Sequence, residues 1–216
     1  MKIYVIRHGE TDLNVKHYRQ GWTDEPLNEE GRKLARLSGQ GLRGVRFDAC
    51  VTSPLIRARE TVEIVLRESG NGSVPVRTDD RLKEINFGEE ENTHVSASLL
   101  DPETARLFLT DALRFPGCPG GESIRDVCRR TWEFLTELAA LDDGRTWLVG
   151  THGCAMRAMM NPLYKNPDRF WQGSVPPNCS FTILGVRDGK PYILESDKVF
   201  YDPALVVDHY RDFSRN

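Results

Sequence analysis

The sequence lacks the features that mark secreted and membrane-spanning proteins. Only five cysteines occur in 216 residues, widely spaced and without a CxxC pair, which argues against a disulfide framework and against a thiolate zinc site. No apolar run approaches the length of a membrane span, and the first strand begins without a basic and apolar leader. We therefore expect reduced, mostly buried thiols and a cytoplasmic protein.

An excess of charge of either sign is also missing. The formal net charge is −3, and acidic and basic residues are spread along the whole length. Such a balance gives no electrostatic footprint for nucleic acid or for an anionic membrane, so we expect neither as a partner. Any anionic ligand must then be held by a few local groups. The oligomeric state stays open, with a homodimer as one option.

Short β-rich apolar runs separated by helical patterns predict an α/β fold. Strands are expected at 2–6, 48–52, 74–77 and 146–150, and an antiparallel edge hairpin at 181–186 and 191–194 around an Asp-Gly turn. Asn28 and Ser53 are expected to cap helices, and Ser123 with Asp126 to form a capping box. A further helix should begin at Cys154, and the tail 202–216 predicts a short one.

The length suits a single α/β domain over 1–216 with one insertion at about 89–119. Composition changes in that segment, which we call the lid. It opens with three glutamates, continues with a helix after Asp101-Pro102 and closes in a run of prolines and glycines. The glutamates, Glu89 to Glu91, are expected to form a solvated face.

Two predicted strands end in the same way. Arg7-His8-Gly9 follows the first strand, and Thr151-His152-Gly153 follows the strand at 146–150. In an open α/β sheet, ligands bind outside the carboxyl ends of the strands, so the two imidazoles are expected in one crevice. Either tripeptide alone would be a weak signal.

Positive charge is also expected near a helix start. Arg57 and Arg59 lie in the first two turns of the helix after Ser53-Pro54, where cations oppose the helix dipole unless an anion binds there. A solvated surface pair is the equally weighted alternative. Glu84 is a carboxylate on a turn anchored by Ile85 and Phe87.

Six segments, in order, resemble the signatures of the histidine phosphatase superfamily, in its phosphoglycerate-mutase-like branch. They are RHGETxxN at 7–14, SPLxRAxxT at 53–61, LxExxFG at 82–88, PGGES at 119–123, THG at 151–153 and NCS at 178–180. The resemblance covers nearly the full chain. It implies a three-layer α/β/α sandwich on a mostly parallel sheet, and phosphoryl transfer through a phosphohistidine at His8.

The chemistry of phosphate-ester cleavage gives each matching residue an expected role. His8 is the nucleophile and Glu84 the acid, whereas Arg7, Arg57 and His152 surround the phosphate oxygens. The remaining expected substrate contacts, in the phosphate pocket and at its mouth, are Asn14, Gln20, Gly21 and Gly153. No cluster of acidic or histidine residues has metal-ligand spacing, so neither metal nor cofactor is expected.

Three functions are compatible with these residues. A phosphatase for small phosphate monoesters is favoured, because Arg106 and Arg114 are isolated in the lid and the Tyr-Gly-Gly and Gly-Asn-Ser stretches of the mutases are missing. A cofactor-dependent phosphoglycerate mutase is the alternative, supported by Gly21-Trp22-x-Asp24. A third is an inactive module that binds phospho-ligands; it would not require His8 or Glu84. The substrate stays open.

Overall fold

The structure is a computed structural model, and it describes residues 1–207. Its strands are β1 (Lys2–Arg7), β2 (Ala49–Thr52), β3 (Val76–Thr78), β4 (Thr146–Thr151), β5 (Phe181–Arg187) and β6 (Lys190–Lys198). They form one sheet in the order β3-β2-β4-β1-β5-β6. The first four strands run parallel to one another, whereas β5 is antiparallel to β1 and β6 is antiparallel to β5.

Six helices accompany the sheet within the described residues. They are α1 (Asp12–Val15), α2 (Glu29–Gly41), α3 (Ile56–Glu68), α4 (Pro102–Thr110), α5 (Ile124–Ala140) and α6 (Gly153–Met160). Alternate side chains of β1 face opposite layers, as the pleat requires. Tyr4 packs in one core with residues of α2 and α3, and Val5 packs in another with residues of α5 and α6. The α/β fold with helices on both faces and an antiparallel edge is confirmed.

Most predicted helix ends are confirmed, but the expected cap of α3 is wrong. Ser123 and Asp126 form the capping box of α5, and the Asn28 side chain accepts a hydrogen bond from the backbone N–H of Gly31. Helix α3 begins three residues after Ser53, with Leu55 as its N-cap. The hydroxyl of Ser53 lies 2.8 Å from Nε2 of His152 instead, so the serine belongs to the site.

The last strands agree with the hairpin prediction in kind but not in length. Asp188 and Gly189 adopt positive φ angles of 52° and 70°, as the Asp-Gly turn requires. Strand β6 continues to Lys198, four residues beyond the expected 191–194 segment. In the tail, Pro203–Leu205 forms a 3₁₀ turn, and the rest of the predicted short helix lies outside the described residues. No helix within 1–207 has the length and apolar character to cross a membrane.

The lid has its own small core. Phe108 of α4 makes edge-to-face contacts with Phe87, Phe115 and Trp171, at centroid distances of 5.7, 5.2 and 5.2 Å. The indole of Trp171 also donates a hydrogen bond to the carbonyl of Phe108 (2.7 Å). These contacts connect the lid to the segment after α6. Its function as a lid, and the single-domain organisation, stay predictions.

Candidate active site

The sheet places the two His-Gly exits side by side. Strands β1 and β4 are neighbours, and Arg7 pairs with Thr151 at their carboxyl ends. The backbone N–H of His8 donates to the carbonyl of Thr151 (3.0 Å), and the imidazole of His152 has its centroid 5.1 Å from that of His8. The structure thus brings both imidazoles into one crevice.

His8 has a defined tautomer. Its Nδ1 lies 2.7 Å from the carbonyl oxygen of Gly9, and a carbonyl only accepts, so Nδ1 carries the proton and Nε2 keeps its lone pair. Burial, together with the charges of Arg57 and Arg7, holds the pKa of His8 well below its usual value of 6.5. His8 is therefore a neutral imidazole with a nucleophilic nitrogen.

His152 is equally buried and neutral. Burial, and then the charge of Arg57, lower its pKa well below 6.5. Its Nε2 is engaged with Ser53, and its Nδ1 is buried without a hydrogen-bond partner among residues 1–207. An unsatisfied buried nitrogen costs about 1–3 kcal/mol, and a ligand oxygen would remove that cost.

Arg57 is the cation that the helix start was predicted to offer. Its side chain is 0% exposed, and it donates to the carbonyls of Gly21 and Thr23, both at 2.7 Å. Nε is buried without a hydrogen-bond partner in the described part of the chain. Burial lowers the pKa of Arg57 to about 10, so the guanidinium remains charged at neutral pH. Arg59, by contrast, is exposed and pairs with Glu63 at 3.0 Å.

Glu84 joins the site to the start of α6. Its carboxylate accepts hydrogen bonds from the backbone N–H groups of Ile85 (2.9 Å), Cys154 (3.0 Å) and Ala155 (2.9 Å). The N-cap residue of α6, His152, makes no side-chain cap bond, so Glu84 caps this helix from outside. These three donors fix the carboxylate at the edge of the cavity that His8 lines.

The other expected contacts fall into two groups. Arg7, Asn14, Gln20 and Gly153 line the cavity, and Nε2 of Gln20 is buried without a partner within the described residues. Gly21 does not line it. A side chain there would meet Glu91 Oε1 and the Ile85 carbonyl at 2.2 Å, so Gly21 acts on the site through its hydrogen bond to Arg57. Arg57 and His152 are likewise absent from the cavity lining.

The expectation that Glu89 to Glu91 form a solvated face is wrong for two of the three. Glu90 is 0% exposed and pairs with Arg19 at 3.0 Å. Glu91 accepts hydrogen bonds from the backbone N–H groups of Gly21, Trp22 and Thr23, which are 68 to 70 residues distant in sequence. No local pattern separates Glu91 from Glu89, because its partners come from another part of the chain.

A cavity of about 490 Å³ extends from the strand exits to the lid. Its polar lining near β1 and α6 comes from the residues described above. Its apolar lining comes largely from the lid and the segment after α6, including Leu100, Pro102, Ala105, Phe108, Phe115, Trp171 and Val175. Within residues 1–207, no group of three or more His, Cys, Asp or Glu side chains is placed to hold a metal ion.

Comparisons with known proteins identify the family of this chain. Residues 3–198 match the model of the histidine phosphatase superfamily (branch 1). The chain belongs to this superfamily. Its resemblance to the phosphoglycerate-mutase-like branch is thereby confirmed.

Relatives in the superfamily carry both mutase and phosphatase names. A 2,3-bisphosphoglycerate-dependent phosphoglycerate mutase 2 of Gloeobacter violaceus is 34% identical over 165 residues, which cover 74% of each chain. YhfR of Bacillus stearothermophilus superposes with a TM-score of 0.84 at 34% identity, covering 92% of this chain and 97% of YhfR. A mycobacterial glucosyl-3-phosphoglycerate phosphatase complexed with VO3 gives 0.78 at 28%, covering 91% and 98%.

Proposed function

We propose that this histidine phosphatase family member is a metal-independent phosphomonoesterase that hydrolyses small phosphate esters through a phosphohistidine at His8. The observation that carries the proposal is the state of His8. Its Nδ1 proton is held by Gly9, its ring is neutral, and the buried cations Arg7 and Arg57 lie close enough to lower its pKa. A neutral imidazole beside fixed positive charge is suited to attack a phosphate dianion.

The proposed reaction has two steps. Nε2 of His8 forms a bond to phosphorus as the ester P–O bond breaks, and Glu84 gives a proton to the leaving oxygen. Water then attacks phosphorus, the N–P bond breaks, and Glu84 takes the water's proton. Arg7, which lines the cavity, stabilises the charge on the equatorial oxygens in both steps, because an arginine fork contacts two oxygens at once. Arg57 adds its positive charge from behind the lining.

The arginines in and next to the lid support hydrolysis over mutase chemistry. A mutase must hold a second anionic group of its substrate or of a bisphosphoglycerate primer. Arg19 lines the cavity but is neutralised by Glu90, and Arg114 pairs with Asp111 away from it. Arg106 is the one remaining lid arginine on the lining, and it has no ion-pair partner within residues 1–207. The mutase alternative is still supported by relatives that are named phosphoglycerate mutases.

The test uses purified protein with a phosphate monoester labelled on phosphorus, in the presence of a chelator. We expect turnover, with acid-labile label trapped on wild-type protein and lost in His8→Ala. His94→Ala, which removes a lid imidazole outside the strand exits, should keep the label. Full turnover in His8→Ala, or strict dependence on added divalent metal, would refute the mechanism. Isomerisation of phosphoglycerate faster than hydrolysis, stimulated by bisphosphoglycerate, would establish the mutase.

A further inference from the structure

The part of the cavity that the lid forms differs in composition from the part at the strand exits. Leu100, Ala105 and Phe108 line it from the lid, and Trp171 and Val175 line it from the segment after α6. The aromatic rings are held in place by mutual edge-to-face contacts. A rigid apolar wall of this kind favours an apolar group and offers few partners to a hydroxyl.

Three polar side chains on the lining near this wall, Ser96, Ser98 and Arg19, are already engaged, whereas Arg106 lines the cavity without an ion-pair partner within residues 1–207. The Ser98 hydroxyl donates to Glu90 (3.2 Å), and the Ser96 hydroxyl lies 2.7 Å from Nδ1 of His94. Arg19 forms its ion pair with Glu90. A polyol entering here would lose water and find few hydrogen-bond partners apart from Arg106, which costs free energy for each unsatisfied group.

The size of the cavity also favours a substrate with a large apolar group. A volume of about 490 Å³ lies in the range of about 300–1,000 Å³ that is usual for sites of drug-sized ligands. At about 30 Å³ per water molecule, the cavity corresponds to roughly sixteen waters, more than a phosphoglycerate would displace. A ring-sized group attached to the phosphate would fill it.

We propose that the alcohol portion of the substrate is apolar and ring-sized, so that the preferred substrates are monophosphate esters of aromatic or alicyclic alcohols. The inference rests on the proposed phosphatase function and names its substrate class. The phosphate lies at His8, and the ring packs against the wall that α4 and Trp171 form together. Selection arises from the apolar wall, because burying apolar surface is favourable and leaving it wet is not.

The experiment compares 3-phenylpropyl phosphate with glycerol 3-phosphate. Both are esters of primary alcohols, so the leaving oxygens have similar basicity and the comparison reports on the alcohol body. We expect kcat/KM to be about 30-fold higher for the phenylpropyl ester, which is about 2 kcal/mol at 1.4 kcal/mol per tenfold. An equal or higher value for glycerol 3-phosphate would overturn the inference and leave the phosphatase proposal intact.

Neighbouring leucines provide a matched pair of variants. Leu100 lines the cavity, whereas Leu99 is 73% exposed and does not. Leu100→Asn should lower kcat/KM for the phenylpropyl ester about tenfold and leave glycerol 3-phosphate nearly unchanged. Leu99→Asn should change neither. If both substrates respond equally to Leu100→Asn, the apolar wall does not select the substrate.

A second variant and a binding measurement cover the remaining outcomes. Ala105→Phe fills the cavity without removing any contact, and it should selectively slow the phenylpropyl ester even if Leu100→Asn does not fold. Calorimetry with the non-hydrolysable phenylpropyl and glyceryl phosphonates measures affinity independently of turnover. If no ester is hydrolysed but the phenylpropyl phosphonate binds more tightly, the phosphatase proposal fails and the ligand class stands. Equal affinities would refute the ligand class.

Discussion

Replacing Glu91 by glutamine is expected to weaken phosphate binding, although Glu91 does not line the cavity. The segment 20–23 is held on one side by the Glu91 carboxylate, which accepts hydrogen bonds from three of its backbone N–H groups. On the other side, the carbonyls of Gly21 and Thr23 hold the guanidinium of Arg57. Loss of hydrogen bonds between Glu91 and segment 20–23 should let the segment move and so displace Arg57.

The size of the expected effect follows from the number of hydrogen bonds that each carboxylate oxygen of Glu91 accepts. Oε1 accepts from the N–H groups of Trp22 (2.8 Å) and Phe87 (3.0 Å). Oε2 accepts from Gly21 N–H (3.1 Å) and from the N–H (3.1 Å) and hydroxyl (2.6 Å) of Thr23. In Glu91→Gln, an NH₂ group replaces one oxygen and faces two or three donors.

At least two charge-assisted bonds are then lost, each worth about 1.5–3 kcal/mol when fully buried. Glu91 is half-buried and Trp22 is exposed, so water compensates in part. We expect the free energy of unfolding to fall by about 2 kcal/mol, and kcat/KM to fall about 10- to 30-fold through the displaced arginine.

Urea denaturation measures the stability, and competitive inhibition by inorganic phosphate measures the affinity of the anion site. The control is Glu89→Gln, because Glu89 is exposed and its side chain makes no hydrogen bond within residues 1–207. It should change neither quantity. A Glu91→Gln protein that loses stability but binds phosphate as the wild type does would show that segment 20–23 does not position Arg57.

Two further predictions concern Glu84 and the histidines. Glu84→Gln should lower kcat by about 10²–10⁴-fold for a sugar phosphate and much less for nitrophenyl phosphate, whose leaving group needs little protonation. Disturbance of the α6 cap affects both esters alike, so equal losses would mean that Glu84 is not the acid. Because burial holds the pKa values of His8 and His152 well below 6.5, the unfolded chain takes up protons that the folded chain does not. Stability should therefore be complete above pH 6.5 and decrease below it, by up to about 2.7 kcal/mol per pH unit for two protons. Urea denaturation on either side of this pH measures the slope, which His8→Asn should halve; a slope unaffected by that variant would contradict the assignment.

Features set by adjacent residues could be predicted from the sequence. The apolar runs that end in Arg7-His8 and in Thr151-His152 indicated both strands and their exits, since period and burial are local properties. The capping box of Ser123 and the Asp-Gly turn are likewise complete within a few residues. The placement of both imidazoles in one crevice followed from the rule that ligands bind outside the carboxyl ends of the strands.

Features set by distant partners could not be predicted in this way. Ser53 has the residue type and the following proline of a helix cap, but His152, 99 residues later, uses its hydroxyl. Glu90 and Glu91 have the composition of a solvated run, and only the folded chain places Arg19 and segment 20–23 against them. Gly21 was expected at the mouth because its neighbours are polar. Its contact with Arg57 appears only once α3 is in place.

The position of Asn178 has a consequence for how the site is made in the cell. Its side-chain amide donates to the carbonyl of His8 (3.1 Å), a partner 170 residues earlier in the chain. At about 5–20 residues per second of synthesis, His8 leaves the ribosome roughly 10–30 s before Asn178 is made. Until Thr146–Thr151 and Phe181–Arg187 are made, β1 has neither β4 nor β5 beside it, and its apolar residues are open to wrong partners. A chain that ends within the lid would carry Arg7, His8 and Arg57 but would lack His152 and Asn178. Contacts between residues so far apart in the sequence form slowly. The protein should therefore become active after the chain is complete and not during its synthesis.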